Sequence, residues 1–252
     1  MNRPNGPPPG SLVIHELALA TRAFAWAGGA LFVAALGYFL FAYVVVFGHP
    51  APDGPWLAGA ALNVAMFTVF ALHHSLCART PLKARVRRAA GPHLERSVYV
   101  WLSSLLFLGI CWLWRPVPGE LYRLVGAWWW LGVAVQVTGL VITIAGSRAL
   151  DVLDLAGIRH VQASPVSDPG RHRPLVTSGL YGLVRHPLYL GWVLLVFGTP
   201  HMTMTRAVFA LTSTVYLMAA IPWEERSLTE TFGPEYAAYQ RQVRWRMLPF
   251  VY

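Results

Sequence analysis

The stretch AFAWAGGALFVAALGYFLFAYVVVF, residues 23–47, runs for twenty-five positions without an Asp, Glu, Lys or Arg. As a helix it would be about 37 Å long, more than the roughly 30 Å of a hydrocarbon core. It is too long for a signal-peptide core, and no cleavage-type boundary follows it, so it reads as a membrane span. Five further runs share the property: 57–78, 97–114, 124–147, 187–205 and 207–223. The six cover half of the 252 residues.

Composition agrees with that reading. Apolar residues make up 56% of the chain and charged residues 12%, about half the usual charged share of roughly 25%. The net charge is +9, carried by arginines with Lys83 as the lone lysine. A soluble nucleic-acid binder would set such charge on a polar background, which is missing here, so no nucleic-acid partner is expected. Cys77 and Cys111 lie in apolar runs, which leaves no disulfide framework. The expected fold is all-α, a polytopic membrane protein of about six helices. Residues 1–22, rich in proline and glycine, read as a flexible tail. Residues 23–147 form a four-helix transmembrane region, and 148–252 hold the functional half.

Arginine placement orients the chain. With the N-terminus inside, seventeen of the twenty Lys and Arg residues face the cytosol, and only Arg115, Arg123 and Arg206 lie outside. Both termini, the 79–96 loop and the long 148–186 loop are then cytosolic, and the cell membrane is the expected location. The tryptophans at 128–130 read as an outer-interface belt. Most of the arginines need no role beyond topology and contact with anionic lipid. The fifth and sixth runs, joined by 201–206, are expected to form a tight antiparallel hairpin and to flank the acceptor's entry from lipid, with the fifth tilted or broken at Gly198-Thr199-Pro200.

Two cytosolic segments carry chemistry. The first, HVQASPVSDPGRHRPLVTSGLYGLVRHPLY at 160–189, is polar and turn-rich before Arg185-His186-Pro187 enters the membrane surface. Pro187 suits the first position of a helix, with His186 at its N-cap. The imidazole and the free amide groups there could meet an anion, or the triplet could simply cap a helix. The second, WEERSLTETFGPEYAAYQRQVRWRMLPF at 223–250, opens with Glu224-Glu225 and breaks at Gly233-Pro234 into two short helices. Glu225, Leu228 and Phe232 share one stripe, and Tyr236, Tyr239 and Val243 another. A solvated helix start on a favourable dipole would also explain the two acids. Arginine counting puts both segments on one face. Together they suit a zwitterionic ligand with an aromatic base: its amine at Glu224, its ring on Tyr181 or Tyr189, its carboxylate near His186. S-adenosylmethionine fits, as would other nucleotides.

LVTSGLYGLVRHPLYLGW at 175–192, followed by EERSLTETFGPEYAAYQRQV at 224–243, resembles the isoprenylcysteine carboxyl methyltransferase superfamily. HHSLCARTPLKARVRR at 73–88, ERSVYVWLSSLLFLGICWLWRPVP at 95–118, LDLAGIRHV at 153–161 and GTPHMTMTRAVFALTSTVYLMAAI at 198–221 resemble its methanethiol S-methyltransferase branch, grouped with NnrU-like proteins. The resemblance implies a membrane enzyme using S-adenosylmethionine. It implies cofactor contacts at Gln162, Leu175, Val176, Tyr181, His186, Pro187, Leu188, Tyr189 and Glu224. The isoprenylcysteine enzymes carry an acceptor-associated arginine one turn before that glutamate, where this chain has Ala220. The change disfavours a carboxylate acceptor and suits a neutral thiol.

Methyl transfer from a sulfonium is an in-line displacement, so alignment is the main task. A thiol acceptor must first ionise. Arg185, Arg244 and Arg246 are candidates to stabilise the thiolate, and His74 or Glu225 to take its proton. His73 and His74 lack the further ligands a metal would need. The expected partners are a small hydrophobic thiol or another lipid-soluble acceptor, such as an isoprenylcysteine or a phospholipid amine, and membrane lipid. An NnrU-like accessory protein and a sterol-reductase-like oxidoreductase are the alternatives of another class, though no nicotinamide signature is present.

Overall fold

In hydrocarbon a backbone must satisfy its own hydrogen bonds, so the apolar runs fold as helices. The computed structural model describes residues 9–77, 80–91, 94–162 and 174–252. In chain order the helices are α1 (Pro9–Val44), α2 (Trp56–Cys77), α3 (Thr80–Ala90), α4 (Glu95–Leu113), α5 (Ala127–Ala149), α6 (Val152–Leu155), α7 (Arg159–Gln162), α8 (Pro187–Phe197), α9 (Met204–Phe232) and α10 (Pro234–Gln242). Two short strands, β1 (Glu120–Arg123) and β2 (His201–Thr203), pair antiparallel. The protein is thus an all-α polytopic membrane protein. Helix α1 begins at Pro9, inside the segment expected to be a tail. Trp128 and Trp130 are exposed at the start of α5.

Among the described residues, five helices are long and apolar enough to cross a membrane: α1, α2, α4, α5 and α9. The expected fifth span is different. Helix α8 has 11 residues, about 16 Å, roughly half of a hydrocarbon core. It stops at Gly198, and the apolar run continues through Thr199-Pro200 into β2. Nor does α8 form a tight hairpin with α9; its main partner is α5.

Glycine explains that pairing. Gly132, Gly139 and Gly146 recur every seven residues on the buried face of α5. A Cβ on Gly139 would sit 2.5 Å from the carbonyl oxygen of Gly191, and one on Gly191 would sit 2.7 Å from that of Gly139. The two backbones are in contact, as small residues allow within a membrane.

Between the helices runs an aromatic core. Phe39, Tyr43, Phe47, Phe67, Trp114 and Phe209 are buried together. At the end bearing the two paired strands, Arg206, expected in an outer loop, is instead buried in a helix. It is 5% exposed and lies in the first turn of α9. Its guanidinium donates to the carbonyls of Tyr43 (2.8 Å), Val44 (2.5 Å) and His201 (2.5 Å). Two of these are orphan acceptors at the end of α1, where a cation also meets the negative end of the helix dipole. Arg206→Met removes all three donors and is expected to destabilise the protein by about 3 kcal/mol. Thermal unfolding in detergent checks this, and an unchanged midpoint would contradict the capping role.

Candidate functional site

The two sequence segments meet at the opposite, arginine-rich end. After α10 the chain turns back, and its backbone pairs with the residues ahead of α8. Arg185 N–H donates to the Trp245 carbonyl (2.9 Å), and His186 N–H to that of Arg246 (2.8 Å). Gly233, at φ 54°, makes the turn that sends α10 back, a conformation that favours glycine.

A buried ion pair locks this junction. Arg185 Nε lies 2.7 Å from Glu225 Oε1, with side chains 7% and 6% exposed. The Arg185 guanidinium also donates to the carbonyls of Val243 (2.7 Å) and Arg244 (3.0 Å). The other Glu225 oxygen faces Gln240 and Arg246, each at 3.4 Å. Around this pair, Tyr236, Tyr239 and Val243 form a small core with Leu175, Leu228 and Phe232 against it. Both expected stripes therefore face one another. Tyr239 donates its hydroxyl to the Tyr181 carbonyl (2.6 Å). Burial pushes the Tyr239 phenol up to about 12, so it remains a donor at any physiological pH.

Glu224, one residue before Glu225, faces outward. Adjacent helical residues point about 100° apart, so one carboxylate is sealed while the other is 45% exposed. Tyr189 donates to Glu224 Oε2 at 2.7 Å. The His186 ring lies between the two acids, Nδ1 3.5 Å from Glu224 and Nε2 3.4 Å from Glu225. It stacks on Tyr189 with centroids 5.3 Å apart and planes 11° apart. His186 is the residue before α8, with Pro187 at the first helical position. The sequence suggested a ligand carboxylate near this imidazole; here Glu224 and Glu225 already face both of its nitrogens.

Of the other residues singled out from sequence, Tyr181 is buried in a 3-10 turn at Gly179–Gly182, and burial raises its phenol above the ordinary range. Leu175 packs on the tyrosine core, and Val176 is half-buried beside it. Leu188 points at Gly146 of α5. Arg244 is exposed, with its guanidinium carbon 6.0 Å from the Trp245 ring. Gln162 ends α7, and its side chain lies outside the described residues. His74 is not in this cluster. It sits near the end of α2 against Tyr99 of α4, whose hydroxyl is 2.9 Å from Nδ1. No group of three metal-ligating side chains occurs among the described residues.

Sequence reasoning missed two polar groups. Gln240 appeared only within the second of the two short tail helices. Tyr236 was read as a packing residue, yet its hydroxyl is buried without a hydrogen-bond partner among the described residues. It lies within electrostatic reach of Glu224, Glu225 and Arg185.

This arrangement can be set beside known proteins. A family described as phospholipid methyltransferase matches residues 127–235, a range that contains α5, the Arg-His-Pro entry and both acids. Methanethiol S-methyltransferase 2 of Bradyrhizobium diazoefficiens is 36% identical over 186 residues, covering 72% of this chain and 70% of that one. The chain belongs to the methanethiol S-methyltransferase family. The methanethiol S-methyltransferase of Pseudomonas deceptionensis is 32% identical over 201 residues, 76% of this chain and 74% of its own. Nurim of Xenopus laevis is 29% identical over 165 residues, 62% of this chain and 58% of its own. No solved structure matches. Family membership makes the protein a multi-pass membrane methyltransferase that draws on a methyl donor.

Proposed function

We propose that the protein transfers a methyl group from S-adenosylmethionine to the sulfur of a small, lipid-soluble thiol, at the cytosolic face of the cell membrane. The observation that carries this reading is the half-exposed Glu224 carboxylate, held by Tyr189 beside the His186 ring, where the two motif segments join. The donor set fits the cofactor. Glu224 suits an ammonium group, the aromatic faces of Tyr181 and Tyr189 suit a purine or a sulfonium, and the Tyr236 hydroxyl is a donor in need of an acceptor. Gln162, Leu175 and Val176 are assigned to the same ligand by resemblance alone. When bound, S-adenosylmethionine supplies an electrophilic methyl group.

The protein's own residues bind, orient and seal. Arg185 and Glu225 hold each other and fasten the tail to the entry of α8, so their role is positioning. A site closed around the bound donor would also shelter a sulfonium from water. Arg244 is exposed beside Trp245, in the tail segment that pairs with the entry of α8, which suits it to an anionic group. Relatives named methanethiol S-methyltransferases favour a thiol acceptor, and Ala220, with only a methyl side chain one turn before Glu224, presents no cation to a carboxylate.

Labelled S-adenosylmethionine offered with methanethiol, a prenylcysteine and phosphatidylethanolamine tests the acceptor. Label is expected in the volatile thioether and in neither of the others. Transfer to the lipid amine would favour the phospholipid reading that the family match at 127–235 keeps open. Transfer to none, with NADPH bound instead, would overturn the methyltransferase reading.

A further inference from the structure

A second polar cluster lies beside the donor site, at the end of the aromatic core. His74 of α2 packs face to face on Phe70, centroids 5.4 Å apart at 29°, and edge-on to Tyr216 of α9 at 6.4 Å. Tyr216 shares a 3.2 Å hydrogen bond with Ser75. The column continues through Phe70–Phe107 (5.5 Å) and Phe107–Trp192 (6.3 Å). Trp192 stands one turn beyond Tyr189 on α8, and the Tyr189 hydroxyl lies within electrostatic reach of Tyr216 and Tyr99. Three helices thus carry polar groups toward the tyrosine that holds Glu224. On α9, Tyr216 and Glu224 are eight residues apart, with only the Ala220 methyl midway.

The Tyr99 hydroxyl is 2.9 Å from Nδ1 and 3.1 Å from Nε2 of His74. The two nitrogens of an imidazole are about 2.2 Å apart, with a carbon between them. An oxygen nearly equidistant from both must therefore sit over the ring face. Tyr99 fixes the ring's orientation and leaves the in-plane nitrogen lone pairs directed elsewhere. Among the described residues, the other titratable or charged groups near His74 are His73 on its own helix, Arg96 on α4 and Tyr216 on α9. Glu225, the other candidate for a proton, is ringed by Arg185, His186, Gln240 and Arg246.

We propose that the acceptor thiol docks at the polar end of this aromatic column, beside Tyr189, and gives its proton to His74. The inference rests on the donor site proposed above. An aromatic wall suits a small uncharged molecule arriving from lipid better than a carboxylate, since among the described residues the cation near His74 is Arg96 at the start of α4. The S–H bond breaks with its electron pair left on sulfur and its proton on a His74 ring nitrogen. The thiolate forms the new S–C bond as the methyl–sulfonium bond breaks, the pair from that bond returning to the leaving sulfur. The imidazolium then releases its proton to water at the arginine-rich end. Tyr99 acts as a positioning residue.

His74→Phe keeps the stack on Phe70 and removes the base. In the purified protein it is expected to bind S-adenosylmethionine within about threefold of wild type while methanethiol turnover at pH 7 falls about 100-fold or more. The deficit should shrink as pH rises toward the thiol's own pKa. Methaneselenol, already ionised at pH 7, should be methylated at close to the wild-type rate, an effect that mere misfolding would not produce. Undiminished thiol turnover, or equal loss of thiol and selenol with donor binding intact, would overturn the proposal. If His74→Phe loses donor binding, Tyr99→Phe decides: a smaller loss with thiol, corrected by selenol, supports the assignment, and any other pattern overturns it. Failure of the wild-type protein to bind the donor would instead overturn the donor site.

Discussion

Glu225→Ala is expected to lower stability by about 3–5 kcal/mol, because it leaves the buried Arg185 guanidinium without its counter-charge. The pair is 7% and 6% exposed, so water cannot take the carboxylate's place. Gln240 and Arg246 lose the same acceptor. The tail is held largely by this network and by the small tyrosine core, so the variant should release residues 234–252 before the bundle unfolds. Limited proteolysis of the purified variant should cut within that tail, while wild type resists. The double change Arg185→Met with Glu225→Leu should recover part of the loss, since apolar side chains of similar volume often replace a buried ion pair at little cost. A Glu225→Ala protein as stable as wild type would show that the tail is anchored otherwise.

Glu224→Ala, one position earlier, is expected to behave in the opposite way. Its side chain is 45% exposed, and its principal contact is one hydroxyl from Tyr189. Stability should change by no more than about 0.5 kcal/mol. Affinity for S-adenosylmethionine should fall about 30- to 100-fold, the worth of one charge-assisted hydrogen bond to an ammonium group. Calorimetry together with thermal unfolding separates the two quantities. Equal loss of stability in both variants would mean that the two acids share a structural role.

That division of labour between neighbours shows where sequence reading stops. Glu224 and Glu225 were visible as a pair at the end of the last span, and arginine counting placed them on the same face as Arg185-His186-Pro187. Which acid turns inward depends on the rotation of α9 about its axis, set by Phe209, Ser213 and Ile221 packing into the bundle. Hydropathy registers an apolar run but not its conformation; Gly198-Thr199-Pro200 marked a tilt or break within 187–205, and there helix gives way to strand. The seven-residue spacing of Gly132, Gly139 and Gly146 was present in the chain, yet a close backbone approach becomes visible only when Gly191 of α8 and Gly198 just beyond it are known as partners. Arg206 looked like a loop cation because composition cannot reveal that helix-end carbonyls surround it. The stripes of Tyr236, Tyr239 and Val243 and of Leu228 and Phe232 were legible from spacing, since a four-residue rhythm on a short helix has one buried face.

The most direct test of the central claim is titration of S-adenosylmethionine into the purified protein in detergent, read by calorimetry. One saturable site per chain is expected, greatly weakened in Glu224→Ala with its unfolding midpoint unchanged. No binding to wild type, or full-strength binding to Glu224→Ala, would contradict the claim that the entry of α8 and the end of α9 together form the donor site.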